Sequence, residues 1–280
     1  MTVKIVTDSL SDITSNLAQK LGVTVVPLTV SFGRESFLDR VEITTDEFYR
    51  RLSQESIFPT TTQPAPGVFV EVYNKLAKET NEILTIVLSS KLSGTFQSAT
   101  NAKAIVGDGC RIEVIDSQKV AMSLGLVVIA AAKIAKAGAN LDELIKAVNG
   151  MITRSHLIAY FDTLKYLAKG GRIGKAQGFL GSMLSVKPIL TIKDGEMAPL
   201  TRVRSRAAGI DYLYDYVASL PKIEGLAVEH CTTLDDAERL IERLGALFPK
   251  EQIQLSTISP VVGTYAGPNA LAVSILEVAK

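Results

Sequence analysis

The feature that most constrains this chain is an alternation, through its first half, of short apolar strands with helix-length segments. Residues 3–7, 83–88 and 111–115 are compact apolar runs of strand length, and residues 23–32 are a β-branched run with Pro27 inside it. Among them, Thr44-Thr45-Asp46-Glu47 sets a hydroxyl three residues before a glutamate, the spacing of a capping box, and predicts a helix to about Leu52. Pro66 opens a second helix with Val68, Val72 and Leu76 on one stripe; residues 93–106 give a third. Residues 124–137 give a fourth, apolar nearly all round and therefore buried. Strands that alternate with helices build a mostly parallel sheet covered on both faces. The first half is expected to be a three-layer α/β/α unit.

The second half has another texture. After an amphipathic helix over 141–153, strands are expected at 156–161 and Lys187–Lys193. Asp194-Gly195 is the strongest dipeptide signal for a two-residue hairpin, with the return strand over 197–203. Helices at 207–220 and 234–247 then separate strands at 225–230, 252–258 and Leu271–Glu277. A hairpin mixed with helices predicts an α+β domain with a mixed or antiparallel sheet. At 280 residues the chain has the length of two domains, because single cores stop growing near about 250–300 residues. The expected division is 1–155 for an N-terminal α/β domain carrying the ligand loops and 156–280 for a C-terminal α+β domain.

Charge narrows the function. With 30 basic and 29 acidic residues the net charge is +1, which argues against nucleic acid or a membrane surface as partner, since both favour a pronounced basic face. Cys110 and Cys231 form no paired motif and are expected as buried free thiols in a reducing cytoplasm. The start carries no secretory signal pattern, and the most apolar stretch, 120–132, falls short of the ~20 residues that span a bilayer. A soluble cytoplasmic protein without stable membrane insertion is expected.

Four loops carry more than general polarity. Pro59-Thr60-Thr61-Thr62-Gln63-Pro64 packs three hydroxyls between two prolines, either to satisfy a turn or to meet a ligand. The segment 89–95, Ser-Ser-Lys-Leu-Ser-Gly-Thr, leaves a buried strand and opens a helix, where unpaired amides and the positive end of the helix dipole attract an anion. Ligands of open α/β sheets bind at such carboxyl ends of strands, and Gly94 lets one approach the backbone closely. Ser93 has the alternative of only capping its helix. Segment 167–173 puts Arg172 beside two glycines, and segment 262–268 precedes the last strand. His156 and His230 lack metal-ligand spacing, while Asp8, Asp12, Asp116 and Asp162 closely follow strands, as caps and turns do. There is no nucleophile elbow, dinucleotide glycine motif or phosphate-binding P-loop. No catalytic residue, metal or cofactor is expected, and the chain is composed to bind rather than to react.

Thr7-Asp8-Ser9-Leu10-Ser11-Asp12, the Thr-Thr-Gln-Pro loop ending at Pro64, the run from Ser90 to Thr95, Asp116-Ser117, Lys169-Gly170-Gly171-Arg172-Ile173, Lys187-Pro188-Ile189-Leu190 and Gly263 with Gly267-Pro268 follow one another in a characteristic order. In that order the chain resembles the DegV family over essentially its whole length. The resemblance implies two α/β domains with one long-chain fatty acid, roughly C14–C18 such as palmitate, in an internal tunnel that the C-terminal domain completes. It also implies a partner, the ATP-dependent catalytic subunit of a bacterial fatty-acid kinase, which phosphorylates the held carboxylate while this chain serves as the non-catalytic binding subunit. Carried over by motif, Thr61 and Ser93 hold the carboxylate, with Thr62, the Gly94 amide and Tyr265 beside them. Arg172 lies at the mouth. Arg202 and Arg204, alternating with Arg206 along the end of a strand, either face the kinase or form a solvated face.

One departure stands out. Where family members usually carry His-x-Gly-Pro-Gly, this chain has Tyr265-Ala266-Gly267-Pro268-Asn269. Tyrosine still donates a hydrogen bond but does not titrate near neutrality. A lipid carrier or sensor without kinase coupling therefore stays open, as does a stand-alone acyl- or phosphoryl-transfer enzyme. Burying about 15 methylenes at ~0.8 kcal/mol each gives roughly 12 kcal/mol gross, so in a fatty-acid site the tail supplies affinity and the head group orientation.

Overall fold

A computed structural model describes residues 2–182 and 186–279. The first half runs β1 (Lys4–Asp8), α1 (Ser15–Leu21), β2 (Val23–Val26), β3 (Thr29–Phe32), β4 (Glu35–Leu38), α2 (Thr45–Gln54), β5 (Thr60–Thr62), α3 (Pro66–Leu76), β6 (Glu82–Val87), α4 (Thr95–Val106), β7 (Arg111–Asp116), α5 (Met122–Lys136) and α6 (Leu141–Arg154). Strands β2-β1-β6-β7, in that order, form a four-stranded parallel sheet. Alternate residues of its strands serve opposite faces. Val6, Ile83 and Val87 meet Phe69 and Tyr73 of α3 and Ala99 and Ala102 of α4. Ile5, Leu84 and Ile86 turn the other way, into the core shared with α5 and α6. The Thr44 hydroxyl caps α2 by accepting from the Glu47 amide, as its spacing predicts.

Three details differ from the sequence reading. The run 23–32 is two strands, because Pro27 offers no amide to a ladder, and β3 joins a separate three-stranded sheet, β4-β3-β5. In α3 the buried stripe is Phe69, Tyr73 and Leu76, whereas Val68 is 40% exposed. Helix α1 and strand β4 were not anticipated, and the Thr-rich segment read as a loop contains strand β5.

The second half runs β8 (Ser155–Tyr160), α7 (Lys165–Lys169), a 3₁₀ segment (Gly174–Ser182), β9 (Lys187–Lys193), β10 (Glu196–Val203), α8 (Arg206–Ala218), β11 (Ile223–His230), α9 (Leu234–Leu244), β12 (Gln254–Thr257), α10 (Pro260–Ala266) and β13 (Leu271–Glu277). Its six-stranded sheet, β10-β9-β8-β13-β11-β12, is antiparallel except between β11 and β12. The β9–β10 hairpin turns at Asp194 and Gly195 with φ of 55° and 81°, both left-handed, the geometry a two-residue loop needs. Arg206 opens α8 and ion-pairs with Asp236 at 2.6 Å, so it does not continue a strand series with Arg202 and Arg204.

One face of this sheet packs on α8 and α9 through Leu213, Val217, Leu240 and Leu244. The other meets α5 and α6, so α5 is sandwiched between the two sheets, which is why it is apolar nearly all round. Cys110 and Cys231 are buried free thiols. Among the described residues no helix is long and apolar enough to cross a membrane.

Candidate ligand-binding cavity

The chain leaves β1 towards β2 on one side and later returns through β6 on the other, so the loops after β1 and β6 diverge at a topological switch point, where open α/β sheets hold their ligands. Asp8, the last residue of β1, ties both loops together: its carboxylate accepts from the amides of Leu10 at 2.9 Å and Leu88 at 2.7 Å. Burial pushes Asp8 up to about 7, against the pull of those amides. Burial also lifts Asp12 to about 6, against Arg40 at 3.2 Å. Asp39 rises to about 7 for the same reason, although the Ser9 hydroxyl donates to it at 2.7 Å. The seam reaches the second half through Asp12, whose carbonyl accepts from Ser256 Oγ at 2.7 Å and whose carboxylate accepts from the Ser259 amide at 3.2 Å. Asp8 and Asp12 are thus turn and cap residues, in line with the sequence.

Beside this seam lies a mainly apolar cavity of about 90 Å³. Leu10, Leu88 and Leu92 wall it from the switch-point loops, Ala121 from the start of α5, and Ala159 and Ala272 from the six-stranded sheet. A single water needs about 10–15 Å³ of such space, so the cavity holds several water- or methylene-sized groups in a row.

Polar groups gather at the more exposed end. On β5, Thr61 points away from Thr60 and Thr62, and its Oγ1 lies 2.5 Å from Tyr265 Oη in a hydrogen bond. The Tyr265 ring rests on Gly170, where a Cβ would come within 2.4 Å of it; glycine is needed here for close approach. Arg172 lies with its guanidinium carbon 5.2 Å from the centre of that ring. It donates to the carbonyls of Leu92 at 3.2 Å and Gly170 at 2.8 Å, and among the described residues no carboxylate pairs with it. Ser93 shares a hydrogen bond with Thr95 Oγ1 at 2.9 Å. Helix α4 starts at Thr95 with Gly94 as its N-cap; the Ser93 hydroxyl accepts from the Thr95 amide at 3.4 Å, which leaves the amides of Phe96 and Gln97 without a side-chain partner among the described residues.

The structure therefore brings Thr61, Ser93, Arg172 and Tyr265 to one cavity wall. Thr62 is exposed beside them, and Gly94 packs against Gln63, a Cβ there meeting Gln63 Nε2 at 2.7 Å. Arg202 and Arg204 are exposed and do not line the cavity; the Arg202 guanidinium sits 4.0 Å from the Phe179 ring centre. Two polar wall residues among those described were missed from sequence: Gln63, which belongs to the Thr-Thr-Gln-Pro motif, and Glu229. Glu229 had a signal, a lone acid in the otherwise apolar strand segment 226–229.

Fold and site define a class: a two-domain α/β protein with an apolar cavity at a topological switch point, closed at its outer end by hydroxyls and an arginine. The model of the "Uncharacterised protein, DegV family" matches residues 2–278, and the chain belongs to the DegV family. A DegV domain-containing protein of Caldanaerobacter subterraneus subsp. tengcongensis is 39% identical over 279 residues, covering 98% of this chain and 99% of that protein. A solved DegV family protein from Thermus thermophilus, described by its fatty acid binding, is 29% identical with a TM-score of 0.91, covering 99% of this chain and all of that one. DegV of Bacillus subtilis, described as a fatty acid binding protein, is 30% identical with a TM-score of 0.89 over 99% of this chain and 100% of that one.

Proposed function

We propose that this chain binds one long-chain fatty acid, roughly C14–C18, and presents its carboxylate to the catalytic subunit of an ATP-dependent fatty-acid kinase in the cytoplasm, which makes the acyl-phosphate. The observation that carries this reading is the convergence of Thr61, Ser93, Arg172 and Tyr265 at one end of an otherwise apolar cavity. Thr61 and Ser93 hydroxyls and the amides of Phe96 and Gln97 at the start of α4 offset desolvation of a carboxylate, and Arg172 supplies the charge. Thr62 and the Gly94 amide support them from the adjoining loops. Arg202 and Arg204, exposed on β10 and just after it, are assigned to the kinase-facing surface. The division of labour falls at 1–155, which carries the head-group loops, and 156–280, which floors the tail. Relatives described as fatty-acid-binding support the lipid half of the reading.

The chain itself is assigned no catalytic residue, because phosphoryl transfer needs positioning and charge stabilisation that a partner with ATP and Mg²⁺ brings. A denatured extract of the purified protein should yield one fatty acid per chain by mass spectrometry. ADP release from ATP and oleate should need both this chain and a fatty-acid kinase catalytic subunit. A lipid-free spectrum that oleate does not change overturns the binding role; ADP release by this chain alone overturns the non-catalytic one.

A carrier without kinase coupling is favoured by one feature, the Thr61–Tyr265 hydrogen bond, which engages a carboxylate-binding hydroxyl. Under that reading Tyr265→His raises kinase turnover from near background by tenfold or more while lipid content stays constant.

A further inference from the structure

Among the described residues three ionisable side chains line the cavity, and of these Glu229 alone lies on its sheet floor, away from Arg172 and Tyr265. It stands on β11 opposite Ala272 of β13, which in turn stands opposite Ala159 of β8, so an acid continues a row of small apolar residues across the floor. Glu229 has no exposed surface. One carboxyl oxygen accepts from the amide of Met122, the first residue of α5, and the other is 2.8 Å from Ser274 Oγ. Helix α5 has no side-chain cap of its own, and the preceding Ala121 is held at φ 58°, ψ −152°. Glu229 thus supplies from the second sheet the cap that this helix lacks.

No cation pairs with Glu229 among the described residues. The charged or titratable groups facing it are Asp12 behind the β1 loop, Arg40, which is engaged with Asp12 and the Thr257 carbonyl, and Cys231, two residues along its own chain. Burial pushes Glu229 up to about 8 and Asp12 adds to it, while the Met122 amide, Ser274 and Arg40 pull the other way. An alkyl chain laid along Ala159 and Ala272 would fill the cavity beside this carboxyl with hydrocarbon in place of polarisable water and so deepen the penalty on its charged form, although the carboxyl itself has no surface open to water.

Resting on the fatty-acid reading above, we propose that Glu229 is a further binding residue, one that seats the acyl chain only as the neutral acid, so that binding takes up a proton wherever Glu229 is otherwise ionised. The sign follows from linkage. A filled cavity raises the affinity of Glu229 for its proton, so acyl affinity is level below about pH 8 and falls above it, by up to about tenfold per pH unit. Asp8, Asp12 and Asp39 titrate lower, at about 7, 6 and 7, and Cys231 higher, at about 12.

The test uses the full chain and myristate, kept below its aggregation threshold and partitioned against a cyclodextrin whose own affinity is measured at each pH. Between pH 7 and pH 9 the wild type should lose about tenfold in affinity, while Glu229→Gln, which can still accept from the Met122 amide, should change less than twofold. An equal fall in both proteins, or a fall in neither, overturns the proposal and leaves the lipid reading standing. No binding at either pH overturns the lipid reading and this inference with it. Should the variant fold poorly, calorimetry of the wild type at pH 8.5 in two buffers of different ionisation enthalpy counts the protons directly. About 0.8 taken up per myristate is expected, and none overturns the proposal.

Discussion

The outer end and the floor of the cavity hold polar groups under opposite rules. At the outer end Thr61, Gln63, Ser93, Arg172 and Tyr265 are partly or fully exposed and ride on a short strand, loops and the small helix α10. Water reaches these groups, so a cation such as Arg172 persists without a carboxylate partner. On the floor Glu229 is fully buried in mid-sheet, and burial rather than a neighbour decides its protonation. One cavity can therefore take an anionic head and an apolar tail, because its charge-tolerant groups sit on wet loops and its small apolar residues on a rigid, dry sheet.

The largest break in this contrast would come from filling the floor. Ala272 is 2% exposed and lies between Glu229 and Ala159. In Ala272→Phe the ring occupies the space over the floor, and under the proposed function lipid retention should fall more than 100-fold, measured by mass spectrometry of the purified protein. Overpacking should cost about 1–3 kcal/mol of stability, read from a urea transition. Full retention would mean that the tail does not run over the floor at all. A smaller effect is expected at the outer end. Under the proposed function Ser93→Ala removes one of several groups assigned to the carboxylate, so it should slow acyl-phosphate formation with a kinase subunit at least tenfold while changing lipid retention, which the tail dominates, less than threefold. Equal losses would show that head and tail are not separable.

Local chemistry made much of this legible. The parallel sheet follows from alternation, the buried α5 from its unbroken apolar face, and the β9–β10 turn from Asp194-Gly195. What was not legible depends on partners far away in sequence. Pro27 signals a break, yet nothing local says that β3 then pairs with β5 rather than with β1. Helix α10 passed for a loop because its glycines hid the period, although its Ser259 cap, which accepts from the Val262 amide, and its stop at Gly267 with φ 77° are written in the chain. Thr61, Ser93, Arg172 and Tyr265 were reached through the order of family motifs. That Thr61 bonds Tyr265 across 204 positions, or that Glu229 caps a helix beginning 107 positions earlier, is tertiary information.

The smallest expected effect sharpens the contrast most finely. Tyr265→Phe deletes one hydroxyl and keeps the ring, which still fits over Gly170 and under the Arg172 guanidinium. The site is partly exposed, so water can take over the freed Thr61 hydroxyl, and the net cost should stay near 0.5–1.5 kcal/mol. Retention of lipid should change less than threefold, and kinase turnover less than it does in Ser93→Ala. Were the phenylalanine variant instead the more damaging of the two, the outer end would not be a set of independent, water-backed contacts. It would be a network organised by Tyr265 and as intolerant of an unmet polar group as the floor around Glu229.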